Sequence, residues 1–485
     1  MNESYISIAI GVFIVYILIN VGIGVWSMMK VKSAAGYYTS ETGMGPWAIA
    51  LAFGATCYSA TLIIGYGGTA YNVGASYIWI AATNLFFMTY LVWVVLGKRV
   101  RNLVARIGSF TVTEMIVARY QAPRLRPILA IVILFAMMAY TIAVLTATAR
   151  LFEVLFHIPF FWSLILVSVV VGFYVTTGGI VATVYNNFLQ GVVMFVGMLW
   201  LGIAVFGTTG FSTGYAELSA QFGEKFVTLP GNITWWGLIS VCMITSLLPW
   251  GMPQIVHYMF LARKPKDVNR AVPIVTIWSA VILFSLYYVG PVSRVILGEG
   301  MNVDKVIPTL IKSVMSPFGI GVVLAAIAAA SMSTMAATAL QASFAFARDL
   351  YQKTFFKDTS DEKILKISKI TTLVVIIISI IMAYMEMSNI AAIFNIGAAV
   401  SCAVFIPLLV GGVFLRVGTS KGAVATAWVG FLVVLLWALI FGLNGQKAMG
   451  IHPIIPGLVC SLITYFAVSK NTEPLDKKFI DQIMG

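Results

Sequence analysis

Runs of about 20 apolar residues follow one another along the chain with short polar stretches between them, and this pattern predicts membrane-spanning helices. About thirteen spans are read, near 5–28, 45–72, 75–97, 126–155, 160–177, 181–207, 234–261, 270–296, 317–347, 366–387, 389–415, 421–442 and 448–468. Two are long and interrupted. The span at 45–72 carries Gly54, Ala55, Thr56, Cys57, Tyr58, Ser59, Ala60 and Thr61, then Gly65, Gly67 and Gly68. The span at 234–261 carries Thr245 and Ser246, then Pro249, Trp250, Gly251, Met252, Pro253 and Gln254. Each interruption frees backbone polar groups that lipid cannot satisfy. These are the second and seventh spans, so they cross in opposite senses. An inverted five-helix repeat has this form, with binding sites at the unwound midpoints. It divides the chain into a first span and loop (1–44), one repeat (45–207), an extracytoplasmic loop (208–233), the second repeat (234–415), and two outer spans with a tail (416–485).

Composition agrees with an all-α polytopic membrane protein. Of 485 residues 60% are hydrophobic and 10% charged, where soluble domains carry about 25% charged residues. The net charge of +13 then needs an explanation. With the N-terminus outside and the C-terminus in the cytoplasm, the basic clusters at Lys30–Lys32, Lys98–Arg126, Arg263–Arg270, Arg348–Lys369, Arg416–Lys421 and Lys470–Lys478 all face one side. Of the 30 basic residues only Arg150, Lys225, Arg294, Lys305, Lys312 and Lys447 face the other. That bias sets the orientation and leaves no surplus charge for nucleic acid. The expected setting is the cell membrane, with the lipid bilayer as surroundings and no obligatory protein partner. Glu3 precedes the first span without a basic stretch, so that span reads as retained rather than as a cleaved signal. Cys57, Cys242, Cys402 and Cys460 all fall inside spans, and no structural disulfide is expected.

Candidate chemistry sits in the ninth span. Between Leu324 and Leu340 it reads LAAIAAASMSTMAATAL. Ala330, Ser333 and Thr334 are spaced i, i+3, i+4, so a helix presents two hydroxyls and almost no bulk on one face. Such a face either packs closely on another helix or holds something that wants oxygen. With freed carbonyls near Ala55 and Tyr58, the Ser333 and Thr334 hydroxyls would form an uncharged oxygen cage suited to a hard monovalent cation. Apart from Arg150, Glu153, Arg294 and a few others near the surface, no Asp, Glu, Lys or Arg lies deep in a span. Proton coupling through a buried carboxylate is disfavoured accordingly. His157, His257 and His452 lie near span ends and read as packed or interfacial.

Three stretches resemble the sodium/solute symporter family, which includes sodium-coupled proline, pantothenate, sialic acid and sugar carriers. Tyr174 to Ala182, with Gly178-Gly179, and then Asn187 to Gln190, resemble its Gly-Gly signature entering the fifth core helix. Ala329 to Thr334, running to Arg348-Asp349-Leu350-Tyr351, is similar to its sodium-site helix and cytoplasmic exit. Gly251-Met252-Pro253-Gln254, before the basic Arg263–Lys266 loop, resembles its broken sixth core helix. The resemblance implies the leucine-transporter-like fold and Na+ as coupling ion. It places sodium on the carbonyls of Ala55, Tyr58 and Ala330 and the hydroxyls of Ser333 and Thr334.

Departures from the family pattern narrow the expectation. Where some members hold a second sodium with an Asp and further serines, this chain has Asn187, Ala336 and Ala337, which implies one sodium per solute. Cys57 stands where proline carriers have Asp, Pro249 where they have an aromatic, and Gln254 where His is usual. Thr56, Cys57, Thr61, Tyr140, Thr141, Trp250, Gln254 and Asn395 are the candidate solute residues. A small neutral or singly anionic solute, an amino acid or a monocarboxylate, suits an uncharged pocket lined by helix N-termini. A sodium-independent or proton-coupled transporter of the same fold is the alternative. No HExxH, Gly-x-Ser-x-Gly or Cys-x-x-Cys motif and no paired carboxylates occur in the spans, so no enzyme is expected.

Overall fold

The computed structural model describes residues 3–40, 43–156, 158–385, 390–442 and 451–484, apart from the side chains of residues 3–6, 61, 154–156 and 390–393. His157, Lys447 and the Thr61 side chain, all named above, therefore lie outside the described residues. Among the described residues there are helices and no strand, with one isolated bridge between Met44 and Ala262. Among the described residues nine helices are long and apolar enough to cross a membrane, and two bent pairs bring the number to eleven.

The order begins with α1 (Glu3–Lys30). The interrupted second span is α2 (Pro46–Cys57) and α3 (Leu62–Val73), bent by 57°. Then come α4 (Ala75–Ile107), the short α5 (Val112–Arg119) and α6 (Leu125–Phe156). Next is α7 (Phe160–Thr209), 50 residues with non-helical backbone at Gly179 (φ 52°, ψ −137°). A helix of that length would extend about 75 Å, far beyond a bilayer core. The turn expected at 178–180 is thus a kink rather than a loop. Only glycine fits there, since a Cβ would sit 2.7 Å from the Tyr37 carbonyl oxygen and φ is left-handed. The expected loop at 208–233 is partly helical, as α8 (Phe211–Phe222).

The seventh span is α9 (Trp235–Gly251) and α10 (Pro253–Phe260), bent by 46°. Pro249 lies within α9 and the break falls at Met252, whose extended backbone (φ −98°, ψ 111°) suits a residue before proline. The second half continues with α11 (Pro265–Leu297), the amphipathic α12 (Val303–Val314), α13 (Pro317–Phe355), α14 (Asp361–Tyr384) and α15 (Ile390–Phe414). Three further helices end the chain: α16 (Ser420–Phe441), α17 (Ile454–Lys470) and α18 (Lys477–Met484).

Helix α13 runs through the interior of the molecule. Its apolar stretch is 94% buried, as is that of α15, against 28% for α1 and for α16. Small side chains explain the placement, because they let neighbouring backbones approach. A Cβ on Gly197 of α7 would come within 2.6 Å of the Ala326 Cβ, and one on Gly321 within 2.9 Å of the Val12 Cβ in α1. The same logic seats α2: the Trp278 ring of α11 lies where a Gly54 Cβ would meet it at 2.7 Å, and its Nε1 donates to the Gly191 carbonyl over 2.8 Å.

Candidate ion and solute site

Helix α2 stops at Cys57, so the carbonyls of Ala55 and Thr56 belong to a last turn that no following amide closes. Hydrogen bonding resumes at Ser59, whose carbonyl accepts from Leu62 N at 3.0 Å and Ile63 N at 3.2 Å. In a water-poor interior the open carbonyls need donors from elsewhere. Helix α13 supplies them. The Ser333 hydroxyl donates to the Ala55 carbonyl over 2.8 Å and the Thr334 hydroxyl to the Thr56 carbonyl over 3.1 Å. Each hydroxyl is also within reach of the Ala330 carbonyl, at 3.1 Å and 3.0 Å.

Five neutral oxygens from two helices therefore share two hydroxyl hydrogens, all on residues that are buried. A hydroxyl can turn its hydrogen aside and offer a lone pair, and carbonyls need no change at all. The donor set fits a hard monovalent cation and lacks the nitrogen or sulfur that zinc or copper prefers. Of the five expected ion-site residues, Ala55, Ala330, Ser333 and Thr334 are joined directly by these bonds. Tyr58 caps α2 (φ −106°, ψ 82°) and its hydroxyl turns away, 2.8 Å from the Thr89 hydroxyl of α4. The carbonyl bonded to Thr334 is that of Thr56, a residue the sequence pointed to through its side chain only.

That side chain belongs to a buried polar knot. Thr56 Oγ1 donates to the Ala52 carbonyl over 2.8 Å and lies 2.7 Å from the Tyr258 hydroxyl of α10. Asn187 of α7 closes the knot, its amide nitrogen sharing two hydrogens among Thr56 Oγ1 at 3.0 Å, the Tyr258 hydroxyl at 2.8 Å and the Ser333 carbonyl at 3.2 Å. One amide thus ties α2, α10 and α13 together. Tyr258 did not stand out in the sequence, because a tyrosine in an apolar span reads as packing.

At the second break, the Gly251 carbonyl accepts from the Ser401 hydroxyl of α15 over 2.8 Å, and the Leu247 carbonyl is 3.7 Å from the Cys402 thiol. Gln254, three residues on, is 2% exposed, and neither its amide oxygen nor its nitrogen has a protein partner. A buried amide left so is costly unless something else satisfies it. Trp250 is half-buried and donates to the Phe87 carbonyl of α4 over 2.9 Å. Asn84 of α4 accepts from Thr245 at 2.8 Å and Ser246 at 3.0 Å, while its amide nitrogen has no protein partner. Asn84 was legible as an amide inside an apolar run, which is a functional flag in a membrane.

Two of the remaining candidates meet beside the α2 break, where the Tyr140 hydroxyl is within reach of the Ser59 side chain and close to Cys57. Cys57 is buried as a free thiol. Tyr140 packs on Phe394, ring centroids 4.4 Å apart, and Asn395 is half-buried one residue further along α15. Thr141 is engaged in helix packing, 2.8 Å from the Thr338 hydroxyl of α13 and donating to the Met137 carbonyl over 2.8 Å. His257 is buried, with Nε2 2.9 Å from the Tyr38 carbonyl, and His452 Nδ1 accepts from Ile454 N at 3.3 Å. Both are packed histidines.

Residues 37–430 match the family model of the sodium:solute symporter family. The chain belongs to this family. Over 467 residues this symporter is 29% identical to the sodium/pantothenate symporter of Escherichia coli (strain K12), covering 93% of this chain and 94% of that one. Over 481 residues it is 26% identical to the osmoregulated proline transporter OpuE of Bacillus subtilis (strain 168), covering 96% and 95%. Among solved structures, a Na+-coupled sialic acid symporter in a substrate-bound outward-open state superposes with a TM-score of 0.80 at 18% identity, covering 97% of this chain and 99% of that one. MHP1, a nucleobase-cation-symport-1 family transporter, gives 0.56 at 16% identity, with 93% and 99% covered. At such identities the structural likeness establishes the fold. The protein is a multi-pass membrane transporter and not an enzyme.

Proposed function

We propose that this symporter couples the entry of one sodium ion to that of a small organic solute, an amino acid or monocarboxylate, by alternating access. The observation that carries the reading is the meeting of the Ser333 and Thr334 hydroxyls with the Ala55, Thr56 and Ala330 carbonyls across the α2 break. Sodium would be held there by the carbonyls of Ala55, Tyr58 and Ala330 and the two hydroxyls. Because α2 contributes freed carbonyls and α13 is continuous, the ion orders the break against a fixed helix. Coupling requires that sodium favour the solute-competent arrangement, since an ion with equal affinity for both arrangements shifts neither. The membrane potential adds about 2.3 kcal/mol per charge per 100 mV to its entry.

One ion per solute is supported by Asn187, whose amide nitrogen faces the Ser333 carbonyl as a donor, and by the methyls of Ala336 and Ala337. The solute class draws on relatives that carry pantothenate and proline. It also draws on the unpartnered Gln254 amide beside the α10 N-terminus, with Cys57, Tyr140, Trp250 and Asn395 as further candidates. Counting α7 as two spans at Gly179, and α17 as one, gives thirteen in the inverted five-helix arrangement. The N-terminus is then outside, the C-terminus cytoplasmic, and the location the plasma membrane. Proteoliposomes holding the purified protein, offered pantothenate, proline and related acids under an imposed sodium gradient, test the reading. Uptake should collapse when choline replaces sodium. Uptake that persists in choline, or that follows a proton gradient instead, overturns it.

A further inference from the structure

Helix α11 carries a stripe that neither ion nor solute binding uses. Lys266, Arg270, Pro273 and Ile277 are spaced i, i+4, i+7 and i+11, so they lie along one face of the helix. All four are exposed: Ile277 is 64% accessible, and the Arg270 side chain 72%, at 4.0 Å from Asp267. Towards the membrane interior the stripe becomes a ridge between two apolar clefts. One, of about 530 Å³, runs against α2 and α7 and is lined by Trp47, Leu51, Val192, Phe195, Pro273 and Ile277. The other, also of about 530 Å³, runs against α4 and is lined by Tyr90, Val94, Asn269, Thr276 and the same Pro273 and Ile277. Towards the polar end, Arg263 and Lys264 are exposed as well, with Asp267 in the first turn of α11 the one carboxylate between Arg263 and Arg270. Trp47, at the start of α2, is 61% exposed, and tryptophans are enriched at membrane interfaces.

We infer that this face of α11 is a binding site for one diacyl anionic phospholipid, its two chains straddling the Pro273–Ile277 ridge and its phosphate between Lys266 and Arg270. Charge and shape argue together. Two cations one and two turns before an apolar ridge reproduce the order of head group and tails, and paired clefts of similar volume match two chains. Basic side chains at the cytoplasmic ends of membrane helices recognise anionic head groups on electrostatic grounds. The site also has a route to the ion cage. Trp278, which forms the inner wall of the first cleft, packs against Gly54 and against the Tyr58 ring at a centroid distance of 5.7 Å.

Native mass spectrometry of the full chain, with added phosphatidylglycerol or phosphatidylcholine of equal chain length, tests the site without any measurement of transport. One phosphatidylglycerol should be retained preferentially. The Lys266→Gln/Arg270→Gln variant should weaken that retention about tenfold, and Val192→Trp should weaken it by filling a cleft while leaving the cations in place. Lys477→Gln/Lys478→Gln, which removes two exposed cations elsewhere, should leave it within about twofold. An unchanged apparent melting temperature in phosphatidylcholine shows that each variant is folded. Retention that is equal for the two lipids, insensitive to Lys266 and Arg270, or equally reduced by the Lys477/Lys478 pair overturns the site. So does equal binding of soluble glycerol 1-phosphate, which would make the source a free phosphate ester.

Discussion

The two broken spans open the backbone in the same way and close it differently. At the end of α2 the loose carbonyls of Ala55 and Thr56 meet hydroxyls from α13, and the result is a cluster of oxygens on two helices. At the end of α9 the Gly251 carbonyl meets one hydroxyl, Ser401 of α15, and the next turn presents a helix N-terminus with the unpartnered Gln254 amide. The first break thus concentrates acceptors, which suits a cation. The second leaves donors and an amide, which suits a polar or anionic group. An interruption in a membrane helix is therefore chemically undefined until the facing helix is known.

Removing both hydroxyls at the first break should have the largest effect. Ser333→Ala/Thr334→Ala deletes two neutral ligands and leaves two buried carbonyls unpaired, each loss about 1–3 kcal/mol. The sodium concentration for half-maximal uptake should rise at least about 100-fold. An unchanged sodium curve, with normal membrane expression, would sink the cage. At the second break Gln254→Ala should raise the half-saturating solute concentration about tenfold while moving the sodium curve much less. If sodium dependence moves as far as solute dependence, the division of labour between the two breaks is wrong.

Ser401→Ala probes the repair rather than the site. It should lower the apparent melting temperature of the solubilised protein, with half-saturation for sodium and solute both within about twofold of the parent. The smallest change is expected at Thr141→Val, which removes a hydroxyl contact to Thr338 one turn beyond the ion ligands. Uptake should stay within about twofold. A large loss there would extend the functional part of α13 past Thr334 and return Thr141 to the solute pocket.

Much of this was written in residue type and spacing. The apolar runs and the Ala330–Ser333–Thr334 face are local properties, and a helix turns them into a span and a pair of hydroxyls. The break at Gly179 was legible as an interruption, and the structure makes it with a single left-handed residue between two helices. What spacing hides is which group meets which. Asn187 could be read as a missing carboxylate, but its hydrogen-bond contacts to α2, α10 and α13 depend on residues 71 to 146 positions away. Thr56 looked like a side-chain candidate, whereas its carbonyl is the group bonded to Thr334.

The sequence by itself determined that the chain is a bundle of membrane helices and where that bundle is interrupted. These follow from hydrophobicity and backbone chemistry, which act residue by residue. Only the tertiary structure decided which carbonyls the interruption at α2 turns towards α13, and that Ser401 repairs one break while Gln254 stays open at the other. Those outcomes depend on how close two helices come and at what rotation. Glycines and alanines set that approach jointly across the contact, so no single stretch of sequence records it.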